Sequence, residues 1–509
     1  MASLYSRIGL IICIAMISIA HADDEIASNN STVIHPQETL NNSTILTMQQ
    51  ISKVASDFAE NGVIEKLINN SSNNNNALAL SALRSCRELL SLAMDNLNKS
   101  LSTPVDTVEG RGSVKSRLCA TGVTLHTCVD EFNGGLRDLV FQKLKEAIYR
   151  NAEVNKVMAV INSETDNLLG QDSADGYPRW LSDSDRELLL RGAKSSADAV
   201  VAKDGSGKYS RIWDAIQAAP RWSKKRFVIY VKSGMYHENV KVGADKWNVM
   251  MIGDGMDKTI VYSNLSNGGG QSTWESATFA VQGEGFIGRD MRFSNTAGPI
   301  NQQAVALLST ADRSVFYRCR MDGYQDTVYA QSNRQFYREC HIYGTVDFIF
   351  GGAAAVIQKS FIFPRKPLHG QDNVITAHYK KDPKCDTAIV VHSSTIQASG
   401  DLTGVPTFLG RPWTPYATSV FMHNIINKVV DPRGWRPWDT SRGAPPPPDT
   451  IFFAEYDNRG AGASTANRVK WKGVRTNLSP AEAGRFTVRS LIQGDQWLPG
   501  TQVSYDPDL

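Results

Sequence analysis

The 509-residue sequence predicts two folds in series, an all-α four-helix bundle followed by an all-β parallel β-helix. Three observations predict this. Apolar residues recur at helical spacing between residues 45 and 170. Beyond residue 199 that period gives way to many short β-rich runs separated by Gly, Asn and Asp. Two of those runs repeat at an offset of 21 residues, a length that suits one coil of a solenoid. A chain of this size is also too long for one ordinary core.

The chain opens with Arg7 ahead of an apolar run from Ile8 to Ala20, then the small-x-small pattern Ala20-His21-Ala22. Residues 1–22 therefore read as a secretory signal peptide, too short to span a membrane comfortably. The mature chain is expected to start near Asp23, to be secreted and to carry no membrane segment. Nine Asn-x-Ser/Thr sites agree with export: Asn29, Asn30, Asn41, Asn42, Asn69, Asn70, Asn98, Asn264 and Asn477. Six of them form three adjacent pairs before residue 75, which suggests an exposed, glycosylated stretch.

Residues 23–175 are expected to hold the bundle. From Leu83, the positions Cys86, Leu90, Ala93 and Leu97 make one buried helix stripe, and Leu136, Val140, Leu144 and Ala147 make another. Residues 176–198 read as a linker. Its Tyr177–Ser196 stretch is charged and irregular and contains Arg186-Glu187-Leu188-Leu189.

Residues 199–509 form the β region. Its runs include Phe227–Val231, Val249–Ile252, Thr259–Tyr262, Ala304–Leu308, Ser314–Tyr317, Gln335–Tyr337 and Val346–Phe350. Strands without intervening helices fit a sandwich, a barrel or a solenoid, and the repeat favours the solenoid. Aligning 315–326 with 336–347 puts Cys319 on Cys340, Gly323 on Gly344 and Asp326 on Asp347. Gln303 lies 22 residues before Gln325. Stacked coils would bring Gln303, Gln325, Asp326 and Asp347 onto one face, at the strand spacing of about 4.8 Å.

Net charge is +3 but unevenly spread. Residues 199–509 carry 36 basic against 27 acidic side chains, and residues 1–198 carry 18 against 24. A basic C-terminal part suits a polyanionic partner, and the acidic N-terminal part could sit against it. Of seven cysteines, Cys13 falls in the leader, leaving Cys86, Cys119, Cys128, Cys319, Cys340 and Cys385. With no C-x-x-C pair a zinc site is not expected, and in an exported protein some thiols should pair. Cys319 and Cys340 fit either a bond across coils or buried free thiols.

Two carboxylates one coil apart cannot both ionise freely, so one becomes a nucleophile and the other a protonated acid. Neighbouring amides can donate to a developing oxyanion, and an arginine can orient the nucleophile. Those parts suit acyl transfer through a carboxylate.

Five segments resemble the signature blocks of plant pectin methylesterases, in the family's order. They are Gly234-Met-Tyr-His-Glu238, Gln303-Ala-Val-Ala-Leu307, Gly323-Tyr-Gln-Asp-Thr-Val-Tyr329, Gly344-Thr-Val-Asp-Phe-Ile-Phe-Gly351 and Leu409-Gly-Arg-Pro-Trp413. The region around Cys86 and Thr127-Cys128 resembles the inhibitor domain that precedes many of these enzymes. The resemblance implies a right-handed parallel β-helix that hydrolyses C6 methyl esters of homogalacturonan in the cell wall. It implies Asp347 as nucleophile, Asp326 as general acid and then base, Gln303 and Gln325 as the oxyanion hole, and Arg411 as the nucleophile's partner. Gln303 and Arg411 would also bind substrate, with Trp413, Trp435, Phe350 and Tyr329 lining the cleft. It further implies a Cys86–Cys128 disulfide, no metal or organic cofactor, and no nucleic acid. Pectin is the implied partner, with a proteinaceous inhibitor and a processing subtilase, and the enzyme would be a monomer.

The sequence departs from the family pattern in places. No cysteine lies between Asp23 and Ser85, so the inhibitor domain's first disulfide is missing and Cys119 is left over. The processing motif has one basic residue, Arg186, where two are usual. Gln302 stands where His is more usual, and Thr414 where Lys is common. The competing readings are another polysaccharide-active β-helix enzyme or an inactive wall-binding protein. A glycosidase could use two close carboxylates but needs no paired amides. A lyase needs a calcium cluster of carboxylates that the sequence does not show, and no Gly-x-Ser-x-Gly elbow is present for a serine esterase.

Overall fold

A computed structural model describes residues 36–70, 76–165, 194 and 196–509. The leader, the Asn29 and Asn30 sites and the Arg186 motif lie outside the described residues. Residues 40–509 make up one compact unit.

Among the described residues five α-helices precede the β region: α1 (Pro36–Val54), α2 (Val63–Asn70), α3 (Asn76–Leu101), α4 (Val108–Asp130) and α5 (Gly134–Thr165). The stripe of α3 is buried at Leu83, Cys86, Leu90, Ala93 and Leu97, and α5 buries Val140, Leu144 and Ala147. Leu40 and Ile51 of α1 join the same core. Thr107 starts α4 by accepting from the Gly110 N–H. More than its neighbours, α4 buries polar side chains, among them Arg111, Arg117, Thr121 and Thr124. One side meets α3 and α5, and the other meets the β region, so no single apolar stripe marks it. A disulfide joins Cys86 in α3 to Cys128 in α4.

From Ala199 onward the chain winds through three parallel sheets of eleven, eight and seven strands. From Phe227 to Gly410 consecutive strands fall in different sheets, so each of those coils contributes one strand to each. The 21-residue repeat is the register itself. Leu307 pairs with Val328, Phe316 with Tyr337, and Met321 with Ile342, one pair per sheet. Cys319 and Cys340 consequently occupy matching positions on adjacent coils, both fully buried and both free thiols. Inside the solenoid aromatic rings stack coil on coil, Phe316 and Tyr337 at 5.0 Å and 19°.

Corners explain two shifted strand boundaries. Strands begin at Leu307 and Ile349 rather than at Ala304 and Val346. Asp326 and Asp347 precede their strands with φ of 64° and 50°, in the left-handed region that Asp tolerates better than most residues. Another ladder of left-handed corners runs through Arg318, Glu339 and Lys359 on successive coils.

Two of the three sheets have a covered outer face. The C-terminal segment lays Leu478, Val488, Ile492 and Leu498 on Val315, Phe336 and Val356 of the eleven-stranded sheet. Residues on the outside of the seven-stranded sheet share the core of the helical region, including Leu308, Tyr329, Phe350 and Ala377. Glu238, from the first signature block, accepts from the Ile212 and Trp213 N–H groups at the start of the 212–218 helix. That block therefore caps a helix and is not part of the cleft.

The helical and β regions meet through charges of both signs. Arg84 and Arg117 of the helices pair with Glu275 and Glu284. In the opposite sense, Lys241 and Lys381 pair with Glu88 and Asp130. The seating is a mosaic, not an acidic surface on a basic one. A second disulfide crosses the same junction, from Cys119 of α4 to Cys385. Cys119, left over in the sequence pattern, thus has a partner in the β region. Among the described residues, no helix is long and apolar enough to cross a membrane.

Candidate active site

Register builds the site. Tyr329 and Phe350 pair across adjacent strands of the seven-stranded sheet, and Asp326 and Asp347 sit three residues before them at equivalent corners. Asp347 is bound at both oxygens by Arg411, whose Nε donates to Oδ1 at 2.8 Å and Nη2 to Oδ2 at 2.5 Å. Arg411 comes from the loop after the Thr407–Gly410 strand of the same sheet. The geometry is a planar fork on a carboxylate, which lysine could not reproduce.

Asp326 has no such partner. Burial pushes its carboxyl well above the usual range, and the nearby Asp347 charge pushes it further, with Arg411 opposing. The pair is asymmetric, with one carboxylate clamped by a cation and the other buried with its carboxyl raised. Gln303 and Gln325 line the same cavity of about 420 Å³, and Gln303 Oε1 is buried without a hydrogen-bond partner.

Aromatic rings wall the cavity. Tyr329 and Phe350 stack at 4.2 Å, and Trp413 lies 6.0 Å from Phe350 and 4.7 Å from Tyr379. Trp435 does not join them, which corrects the sequence reading. Only 1% exposed, it stacks at 4.5 Å on Phe453 in the solenoid core. The coil after Arg411 brings Trp435 into register beside Gly410 and turns its ring inward. Trp438, three residues on, takes the outer position. It is 40% exposed, lines the cavity, stacks parallel to Trp413 at 6.1 Å, and lies 4.1 Å from the Arg411 guanidinium. The sequence signal was the second tryptophan of Trp435-Arg-Pro-Trp438, which carries no mark of which ring faces out.

The helical region reaches the same cavity. Thr127, Asp130 and Glu131, at the end of α4 and just past it, line it together with Asp326 and Asp347. Asp130 accepts from the Tyr379 hydroxyl at 2.7 Å and pairs with Arg137 at 2.7 Å. Burial raises the Glu131 carboxyl to about 7, against hydrogen bonds from Ser272 and the Trp274 N–H.

A sequence model of the family described as Pectinesterase matches residues 198–495, and one described as plant invertase/pectin methylesterase inhibitor matches residues 12–162. The chain belongs to the pectinesterase family. It is thus a carboxylic ester hydrolase with an inhibitor-type region ahead of its β-helix. Probable pectinesterase/pectinesterase inhibitor 46 of Arabidopsis thaliana is 42% identical over 495 residues, covering 94% of this chain and 84% of the relative. Pectinesterase/pectinesterase inhibitor PPE8B of Prunus persica is 40% identical over 479 residues, covering 92% and 88%. Among solved structures, the pectin methylesterase from carrot superposes with a TM-score of 0.60 at 46% identity, covering 62% of this chain and 98% of that one. The Aspergillus niger pectin methylesterase in deglycosylated form gives 0.51 at 27% identity, covering 59% and 96%.

Proposed function

We propose that this pectinesterase hydrolyses C6 methyl esters of homogalacturonan in the cell wall to pectate and methanol through an Asp347 acyl-enzyme. The supporting observation is the asymmetry of the two aspartates, one clamped by Arg411 and the other buried and raised.

Asp347 attacks the ester carbonyl carbon. The oxyanion that forms accepts hydrogen bonds from the Gln303 and Gln325 amides. Asp326, protonated, gives its proton to the departing methoxide, and methanol leaves. The mixed anhydride on Asp347 is then attacked by water, from which Asp326, now a carboxylate, takes the proton. Collapse of the second tetrahedral species expels Asp347 as a carboxylate and releases the polymer acid, which loses its proton to solvent as pectate, with Asp326 left protonated for the next turnover. Trp413, Trp438, Phe350 and Tyr329 would stack on sugar rings.

This reading assigns residues 1–22 to a leader, 23–175 to an inhibitor-like pro-region, 176–198 to a processed linker and 199–509 to the catalytic domain. It makes the protein a secreted monomer cut by a subtilase near Arg186 and open to a proteinaceous inhibitor. The described sequons at Asn264 and Asn477 are exposed, which fits glycosylation on export. The deciding experiment is methanol release from high-ester pectin. Asp347→Asn should lose about 10⁴-fold or more in rate while keeping its circular dichroism spectrum. New reducing ends, or full activity in that variant, would overturn the proposal.

A further inference from the structure

The Cys119–Cys385 bond joins two parts of the chain that the peptide backbone connects only through residues 166–193. Cys119 sits on α4, and Cys385 sits in the loop between the Asn373–His378 and Ala388–His392 strands. The loop is held on the helices by more than sulfur. Asn155 Nδ2 donates to Asp382 Oδ2 at 2.8 Å, Lys115 pairs with Asp386, and Tyr379 donates to Asp130. These contacts keep the two cysteines together from both sides.

The position on α4 matters. Thr127 follows Cys119 by eight residues, about two turns or 12 Å along the helix, and with Asp130 and Glu131 it closes one side of the catalytic cavity. A bond at Cys119 therefore anchors the element that covers Asp326 and Asp347.

We propose that Cys119–Cys385 makes the helical region a covalently retained inhibitor, released by a dithiol reductant and not by cutting the connector. Scission between residues 166 and 193 leaves two chains joined by this bond, with the cavity still covered. The covering segment stays at the high effective concentration of a tethered group and cannot be diluted away. Release is a thiol–disulfide exchange. A reductant thiolate attacks one sulfur and expels the other cysteine as a thiolate. The reductant's second thiol then closes its own disulfide, delivering two electrons and leaving Cys119 and Cys385 as thiols. Both cysteines are nearly buried, at 3% and 5% exposure, but a cavity of about 240 Å³ opens beside them and gives the reductant a route. The inhibitory half of this inference rests on the function proposed above, whereas the covalent half does not.

The test uses the full chain with a site-specific protease sequence placed within residues 176–193, cut after folding. The cut protein should run as one species without reductant and as two with it. Its methanol release per mole should stay low and constant on dilution from about 1 µM to about 1 nM, then rise at least about tenfold with dithiothreitol. The Cys119→Ser/Cys385→Ser double variant, which keeps Cys86–Cys128, should gain that activity on dilution alone after cutting. Two species without reductant, or activation of the cut natural chain by dilution, would overturn the inference. No methanol release even from the diluted double variant would count against the proposed function, while the electrophoresis still decides the tether.

Discussion

Arg411 is gripped on two sides, by the Asp347 carboxylate in its plane and by the Trp438 ring on its face. Lysine at 411 keeps the charge but loses the fork, so Arg411→Lys should lower kcat by about 10²-fold. Trp438→Ala removes a cation–π contact worth about 1 kcal/mol, so kcat should fall about fivefold, with Trp438→Phe recovering most of it. Gln303→Ala should cost about 10²-fold to 10³-fold in kcat with little change in KM, the mark of an interaction made in the transition state. In the proposed mechanism Asp326 must be protonated to release methanol, and burial with the Asp347 charge raises its carboxyl, so acyl-enzyme formation should persist above the usual carboxylate range and fall as rising pH ionises that group; burst kinetics against pH checks this. The aspartates were legible because corner residues repeat at a fixed offset, and the register preserves that offset. Trp435 was not legible. The coil from Gly410 to Trp435 is longer than 21 residues, so the repeat no longer tells inward from outward.

At the scale of elements, α4 is the least readable from sequence and the most consequential. Helices α3 and α5 show themselves by stripes, but α4 serves two partners, and its buried polar residues hide the period. Two titrating groups govern how firmly it docks. Glu131, facing Asp130, Glu275 and Asp326, is raised from 4.5 to about 7, so the docked state favours its protonated form. Docking is then weakened as pH rises from 4.5 through 7. His126, facing Lys381 and Asp130, is lowered from 6.5 to about 4 by burial first and Lys381 second, so the docked state favours its neutral form. Docking is weakened as pH falls from 6.5 through 4. The hold of α4 should peak near pH 5–6, read as amide protection factors along the helix. Glu131→Gln should abolish the loss on the alkaline side and leave the His126 loss alone, running from pH 6.5 down through 4.

For the whole molecule, the ion pair of Asp312 and Arg334 links coil to coil under the helical region. Both side chains are 4% exposed, and Arg334 Nη2 also donates to Ser113 of α4 at 3.0 Å. Burial opposes the Asp312 charge, but Arg334 overrides it and holds the carboxyl far below its usual range. Arg334→Ala would strand that charge, costing about 3–5 kcal/mol, which denaturant unfolding would register. The solenoid and its coil length were readable from repeated residues; the pairing of Cys119 was not, because a bond spanning 266 residues has no local signature.

Cys319 and Cys340, sealed on neighbouring coils, turn the solenoid into its own strain gauge. Neither thiol can meet an alkylating reagent while the coils are stacked, so each labelling event records an instant of separation. The labelling rate should follow the opening equilibrium of these inner coils, slow when the helical region is seated and faster once it is gone.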